Sequence, residues 1–174
     1  MPSIYDNFDD KEVEKIRKQV EENSELIDDV VNTILEPYTK DLDEYVAQID
    51  SVLTSKHAPI TDEELDEACL NLATCIYSAS AMCEKLGIRD DISRALYKET
   101  YNRKRQEQDK GTVDDKNTKA ELASRQEQLV NICYSRAYKS CKAKVENAQE
   151  LLQACKKVLS RRLAEAELTR FGVR

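Results

Sequence analysis

The chain has 174 residues, 35% of them charged, with three Gly, three Pro and no Trp. That composition describes a helix-rich protein poor in turns. Charged residues interrupt every apolar segment, so no window reaches the ~20 apolar residues of a membrane span, and the acidic N-terminus lacks the basic and apolar regions of a signal peptide; a cytoplasmic protein is expected.

The net charge of −7 is unevenly distributed. Residues 1–87 carry 21 acids and 7 bases, whereas residues 88–174 carry 13 acids and 20 bases. The two halves should attract each other or different partners. Of the six cysteines, Cys69, Cys83, Cys133, Cys141 and Cys155 lie on or beside helical apolar stripes and Cys75 lies off them. There is no CxxC pair, and the sole histidine, His57, falls in an expected loop. Buried reduced thiols fit this pattern better than a disulfide framework or a zinc site.

In chain order, residues 1–9 carry few helix signals and read as a loose tail. From Asp10 to Leu35, Val13, Ile16, Val20, Ile27, Val30, Val31 and Ile34 form one helical face, weakened at Asn23 and Ser24. Pro37 suits the first position of a second helix, whose stripe is Tyr38, Leu42, Tyr45, Val46, Ile49, Val52 and Leu53. Residues 1–57 are thus expected to form an acidic helical hairpin module, bounded near His57. A loop follows, and Thr61 with Glu64 three residues on is a capping-box signature. The third helix should bury Leu65, Cys69, Leu72, Ile76, Cys83 and Leu86 and stop at Gly87. A fourth, from Arg89 or Asp90 to Gln108, should bury Ile92, Ala95 and Leu96.

After a turn containing Gly111, the segment from Asp114 to Arg170 has neither Pro nor Gly and reads as one very long helix. Its stripe runs through Val130, Cys133, Ala137, Cys141, Val145, Ala148, Leu152, Cys155, Leu159, Leu163 and Ala166. The mean spacing is close to the ~3.6 residues that keep one helix face aligned. The fold class expected is an all-α helical bundle with a very long C-terminal helix (about 114–170) in a unit spanning 61–174, and a helix of that length implies an oligomer.

Catalytic chemistry finds no support: there is no nucleophile motif and no Gly-rich phosphate cradle, and the carboxylates are spread along solvated faces. A non-enzymatic protein is expected, with no catalytic residue and no cofactor. Asp62, Glu63, Glu64, Asp66 and Glu67 form an acidic first turn, which is ordinary helix-dipole chemistry rather than a metal site. More suggestive is the set Tyr97, Lys98, Tyr101, Arg103, Lys104, Arg105, Lys110, Lys116 and Lys119. Single-stranded nucleic acid is held by cations tracking phosphates and by aromatic rings that stack bases, at ~1–3 kcal/mol per base. These residue types also suit a solvated helix face in which the tyrosines pack. A second basic set, Arg125, Arg136, Lys139, Lys157 and Arg161, lies opposite the long helix's stripe and is interrupted by Glu121, Glu146 and Glu150. Lys144 and Arg162 fall near the apolar face, where they can meet acids of the N-terminal module or of another subunit.

The Tyr and basic residues from Tyr97 to Arg105, the Lys110-Gly111 turn, and the helix ending in Leu159, Arg161, Arg162, Leu163, Glu165 and Arg170 resemble the UvsY-type recombination mediators of bacteriophage recombination gene clusters. The resemblance covers roughly residues 88–170, and the acidic residues 1–57 have no counterpart in it. It implies an oligomeric single-stranded-DNA-binding protein that helps load a recombinase, working in the host cytoplasm if phage-encoded. The expected partners are single-stranded DNA, further copies of the chain, and a basic protein at the acidic module. The rival expectation is a helical scaffold, or an acidic inhibitor that mimics DNA.

Overall fold

A computed structural model describes residues 10–54, 60–108 and 110–172, and every element among them is an α-helix. They are α1 (Asp10–Thr54), α2 (Asp62–Gln106), α3 (Val113–Ala123) and α4 (Arg125–Gly172). The three long helices have 45, 45 and 48 residues, each about 70 Å at ~1.5 Å per residue. Cys69 neighbours Cys155 and Cys83 neighbours Cys141, so α2 and α4 run antiparallel. The Tyr45 hydroxyl of α1 donates to the Ala68 carbonyl of α2 at 3.4 Å, and Lys144 of α4 bonds Asp43 and Thr39 of α1. The result is a long three-helix bundle in which α1 is antiparallel to α2 and parallel to α4.

The core has two sections. One gathers Leu42 and Ile49 with Leu65, Leu72 and Ile76 and with Val145 and Leu152. The other gathers Val31 and Leu35 with Cys83 and Leu86 and with Cys133, Ala137 and Cys141. Both draw on α1, α2 and α4. Between them lies a polar layer, the buried Thr39 with Asp43 and Lys144. The ion pair there is partly exposed and worth no more than about 1 kcal/mol, so its larger effect is to fix the register of α1 against α4. Lys144 thus meets an acid of the N-terminal segment. Arg162 instead reaches the Ile60 carbonyl at 2.7 Å and Asp62 at 3.2 Å.

The expected hairpin in residues 1–57 is not formed: α1 is one helix straight through Pro37. A helix-interior proline removes one backbone hydrogen bond and crowds the carbonyl four residues back, at roughly 3 kcal/mol. Here Val31 and Leu35 before it and Leu42 and Ile49 after it are all buried on the same two helices. Each contributes about 1.5–3 kcal/mol, which outweighs the local defect. Replacing Pro37 with Ala restores the missing donor and raises the thermal midpoint, by up to roughly 6–12 °C if the full proline penalty is recovered. An unchanged midpoint in a calorimetric scan would show that the backbone has already absorbed the strain. His57, the boundary placed beside it and the tail of residues 1–9 lie outside the described residues.

A second expected break is also bridged, because α2 continues through Gly87 as a single helix. Gly87 is there for close approach. A Cβ at this position would stand 3.1 Å from the Tyr138 ring of α4. The expected single helix from Asp114 is in turn divided at Ser124, a buried residue with φ −107° whose hydroxyl donates to the Ala120 carbonyl at 2.8 Å. That bond competes with the helix's own ladder. Thr112 and Asp115 form a full capping box at the start of α3, as Thr61 and Glu64 do for α2. The bonds from Thr61 hold the Glu64 carboxyl below its usual pKa, and those from Thr112 do the same for Asp115.

The cysteines are free thiols, buried except for the half-buried Cys75. Burial pushes Cys69, Cys83, Cys133 and Cys155 above the ordinary thiol pKa, and Cys141 to about 12. Native protein at pH 8 should therefore release at most one equivalent quickly to a thiol reagent, at Cys75, and the rest only on unfolding. Because these folded-state values are raised, the unfolded chain loses its thiol protons first. Stability therefore falls as pH rises from about 9 toward 12. Fast release of several equivalents at pH 8 would contradict this packing.

Candidate nucleic-acid interface

The nine expected site residues occupy one end of the molecule: the last turns of α2, the α2–α3 connection and α3. Gly111, at φ +121°, makes the turn that brings α3 back onto α2. On the turns of α2 that follow Leu96, Tyr97, Tyr101 and Lys104 recur on one face and are half-buried. The two tyrosine rings lie 6.4 Å apart between centroids, tilted by 49°. They form a small aromatic ledge with part of each ring available, enough to take a base against it.

The cations around the ledge do not share one surface. At ~100° per residue, Lys98 and Arg105 are seven residues apart and align, whereas Arg103 points about 160° away from Arg105. Arg103 and Lys104 are also already engaged with Glu107, at 4.0 and 2.9 Å. Among the described residues no ion pair engages Lys98 or Arg105. Lys110 is exposed in the connection, Lys119 is exposed on α3 beside Asp115, and Lys116 is half-buried. The structure therefore brings together Tyr97, Tyr101, Lys98 and Arg105, and sets Arg103 apart. Glu107 has no place in the sequence-based set, although its spacing of three and four residues from Lys104 and Arg103 is a readable helix-pair signal. The second basic set is exposed on α4, with Arg161 paired to Glu165 at 2.9 Å.

Beside the ledge, Ile92, Ala95 and Leu96 are not buried as expected. Ile92 and Leu96 instead line an open groove of about 500 Å³ between α2 and α4, with Arg89, Ser93, Val130 and Tyr134. Among the described residues, the buried side-chain oxygens Asp90 Oδ1, Asn117 Oδ1 and Asn131 Oδ1 at this end have no hydrogen-bond partner. The other Asp90 oxygen accepts from Arg94 at 2.7 Å. Among the described residues no group of side chains is arranged to hold a metal ion, and no helix is long and apolar enough to cross a membrane. The acids of the α2 first turn are used locally: Glu64 in the cap and Asp62 with Arg162.

No protein-family model, curated protein or solved structure matches this chain.

Proposed function

We propose that the chain is a non-enzymatic, self-associating accessory protein that binds single-stranded DNA at the C-terminal end of α2, the Lys110-Gly111 connection and α3, in the manner of a recombination mediator. The observation that carries this reading is the adjacency of two half-exposed tyrosine rings to two aligned cations, Lys98 and Arg105, that no ion pair engages among the described residues. Such a pairing of stacking surface and phosphate charge suits an unpaired strand, whose bases are free to lie on a ring, better than a duplex. The 48-residue α4 supplies length for assembly along a strand.

The test is fluorescence anisotropy of a labelled single-stranded oligonucleotide over a salt series, with duplex of the same sequence as comparator. Single-strand preference with steep salt dependence is expected. Absence of binding at low salt would discard the reading.

A second reading has its own observation. Residues 21–29 of α1 carry Glu21, Glu22, Glu25, Asp28 and Asp29 on exposed positions without a base among them. An acidic helix of this kind could engage a basic, nucleic-acid-binding protein by imitating DNA. That reading predicts binding to such a protein that survives loss of Lys98 and Arg105.

A further inference from the structure

From Val13 to Leu26 every residue of α1 is exposed, so this end of the helix stands off the bundle. Its apolar residues nonetheless follow the buried face. At ~100° per residue, Val13, Val20 and Ile27 fall within about 40° of Val31 around the helix, on the face that buries Val31, Leu35, Leu42 and Ile49 farther along. Val20 is 60% exposed, whereas Val31 is 6%. The stripe keeps its phase and loses its cover.

The facing helices are uncovered over the same stretch. Where α1 stands off, α2 and α4 leave the open groove lined by Ile92, Leu96, Glu127 and Val130. Two more of its residues place it on the side of the bundle that carries α1. Tyr134 packs on the core section of Val31 and Leu86, and the Arg89 guanidinium lies over the Tyr38 ring of α1 at 5.5 Å. The groove is thus continuous with the interface that α1 already fills. Leu96 lies ten residues beyond Leu86 on α2, and Val20 eleven before Val31 on the antiparallel α1, so the two come level.

We propose that the N-terminal third of α1 is a lid that closes over this groove in its own chain, seating Val20 beside Leu96. The helix carries the means to bend. The Ser24 and Thr33 hydroxyls donate to the carbonyls of Glu21 and Asp29, each at 2.9 Å, and Pro37 supplies no N–H to the ladder; all three features weaken or bend a helix. Burial of Val20 and Ile27 favours closing. Two things oppose it. Ser24 lies on the seam between them, and Glu21 and Asp28 lie on the edge of α1 that, at Thr39, meets Lys144 of α4. Glu127 precedes Lys144 by about as much as residues 22–26 precede Thr39 and Asp43, so closing brings three carboxylates together. Arg17, paired with Glu21 at 3.0 Å, and Arg89 on the α2 wall offset part of that crowding. With apolar burial on one side and carboxylate crowding on the other, both positions of the lid are populated. The closure does not rest on nucleic-acid binding.

The experiment is disulfide trapping in the full-length chain. Cys75→Ser removes the half-buried thiol, and Val20→Cys with Leu96→Cys places one new thiol on the lid and one in the groove, both at exposed positions. Oxidised glutathione accepts the two electrons and leaves as two reduced molecules. The bridge should form within one chain about tenfold faster than in the control pair Leu26→Cys with Leu96→Cys, because it needs Cα atoms within about 7 Å and Leu26 lies on the far face of α1. Ser24→Leu, which completes the seam, should speed it further. Equal rates in the two pairs would overturn the proposal, as would no gain from Ser24→Leu. A bridge that links two chains, seen as a doubled mass without reductant, would also overturn it and assign the groove to a second copy.

Discussion

Replacing Lys98 and Arg105 together with Ala should weaken single-strand binding about 25-fold at 0.1 M salt and flatten the salt slope by about 1.4. Both figures follow from ~0.7 counterions released per phosphate contact. The matched variant, Arg103 and Lys104 to Ala, removes the same charge and should cost much less. Those two cations already face Glu107 at 4.0 and 2.9 Å, and to meet a phosphate they must first give up that carboxylate. Arg103 also projects from the far side of the helix. Equal losses in the two variants would mean that the strand responds to the net charge of this end rather than to an ordered surface. No loss in either would remove α2 from the interface. Glu107→Gln supplies the converse, since it frees Arg103 and Lys104 and should tighten binding. Tyr97→Ala and Tyr101→Ala should lower affinity with little change in salt slope, because stacking releases no counterions.

The all-helical character and much of the core were readable from spacing. Cys133, Ala137, Cys141, Val145, Ala148, Leu152 and Cys155 are all buried on α4, and Leu65, Cys69, Leu72, Ile76, Cys83 and Leu86 on α2. The stripe failed at its ends: Val130 and Leu163 are exposed. Spacing reports which residues share a face and is blind to where the neighbouring helix stops. The three misplaced boundaries have a common cause. Pro37, Gly87 and Ser124 were judged by local chemistry, which penalises Pro and Gly in a helix and accepts Ser. In the bundle, buried leucines on both sides carry the helix across Pro37, the Tyr138 ring needs the missing side chain at Gly87, and the buried Ser124 hydroxyl turns back on Ala120. The first two outcomes depend on partners far away in sequence, and the third on a local side-chain bond whose burial the sequence does not announce. The site was legible as residue types and not as a surface. The pairing of Arg103 and Lys104 with Glu107 had a signal in its spacing, whereas the groove lined by Ile92 and Leu96 follows from side-chain placement alone.

Leu72→Ala should be among the most damaging single changes, at about 2–5 kcal/mol. Leu72 has no exposed surface and lies in the N-terminal third of α2, the helix that packs on both α1 and α4. In a bundle of only three helices, a fully buried side chain on one is enclosed by the other two, here by residues such as Leu42 and Ile49 of α1 and Val145 and Leu152 of α4. A cavity there cannot be closed by shifting one helix without pulling it from the third. For a chain of this size the thermal midpoint should fall by roughly 5–20 °C. Leu70→Ala, two residues away on an exposed position, should stay within about 0.5 kcal/mol. Leu86→Ala probes the other core section, where Leu86 is fully buried with Val31, Leu35, Cys83, Cys133, Ala137 and Cys141. Its cost should lie in the same range. Urea titrations of the three variants decide the matter. A Leu72→Ala midpoint close to wild type would mean that the helices slide to refill the gap, and that the polar layer of Thr39, Asp43 and Lys144 does not hold their register.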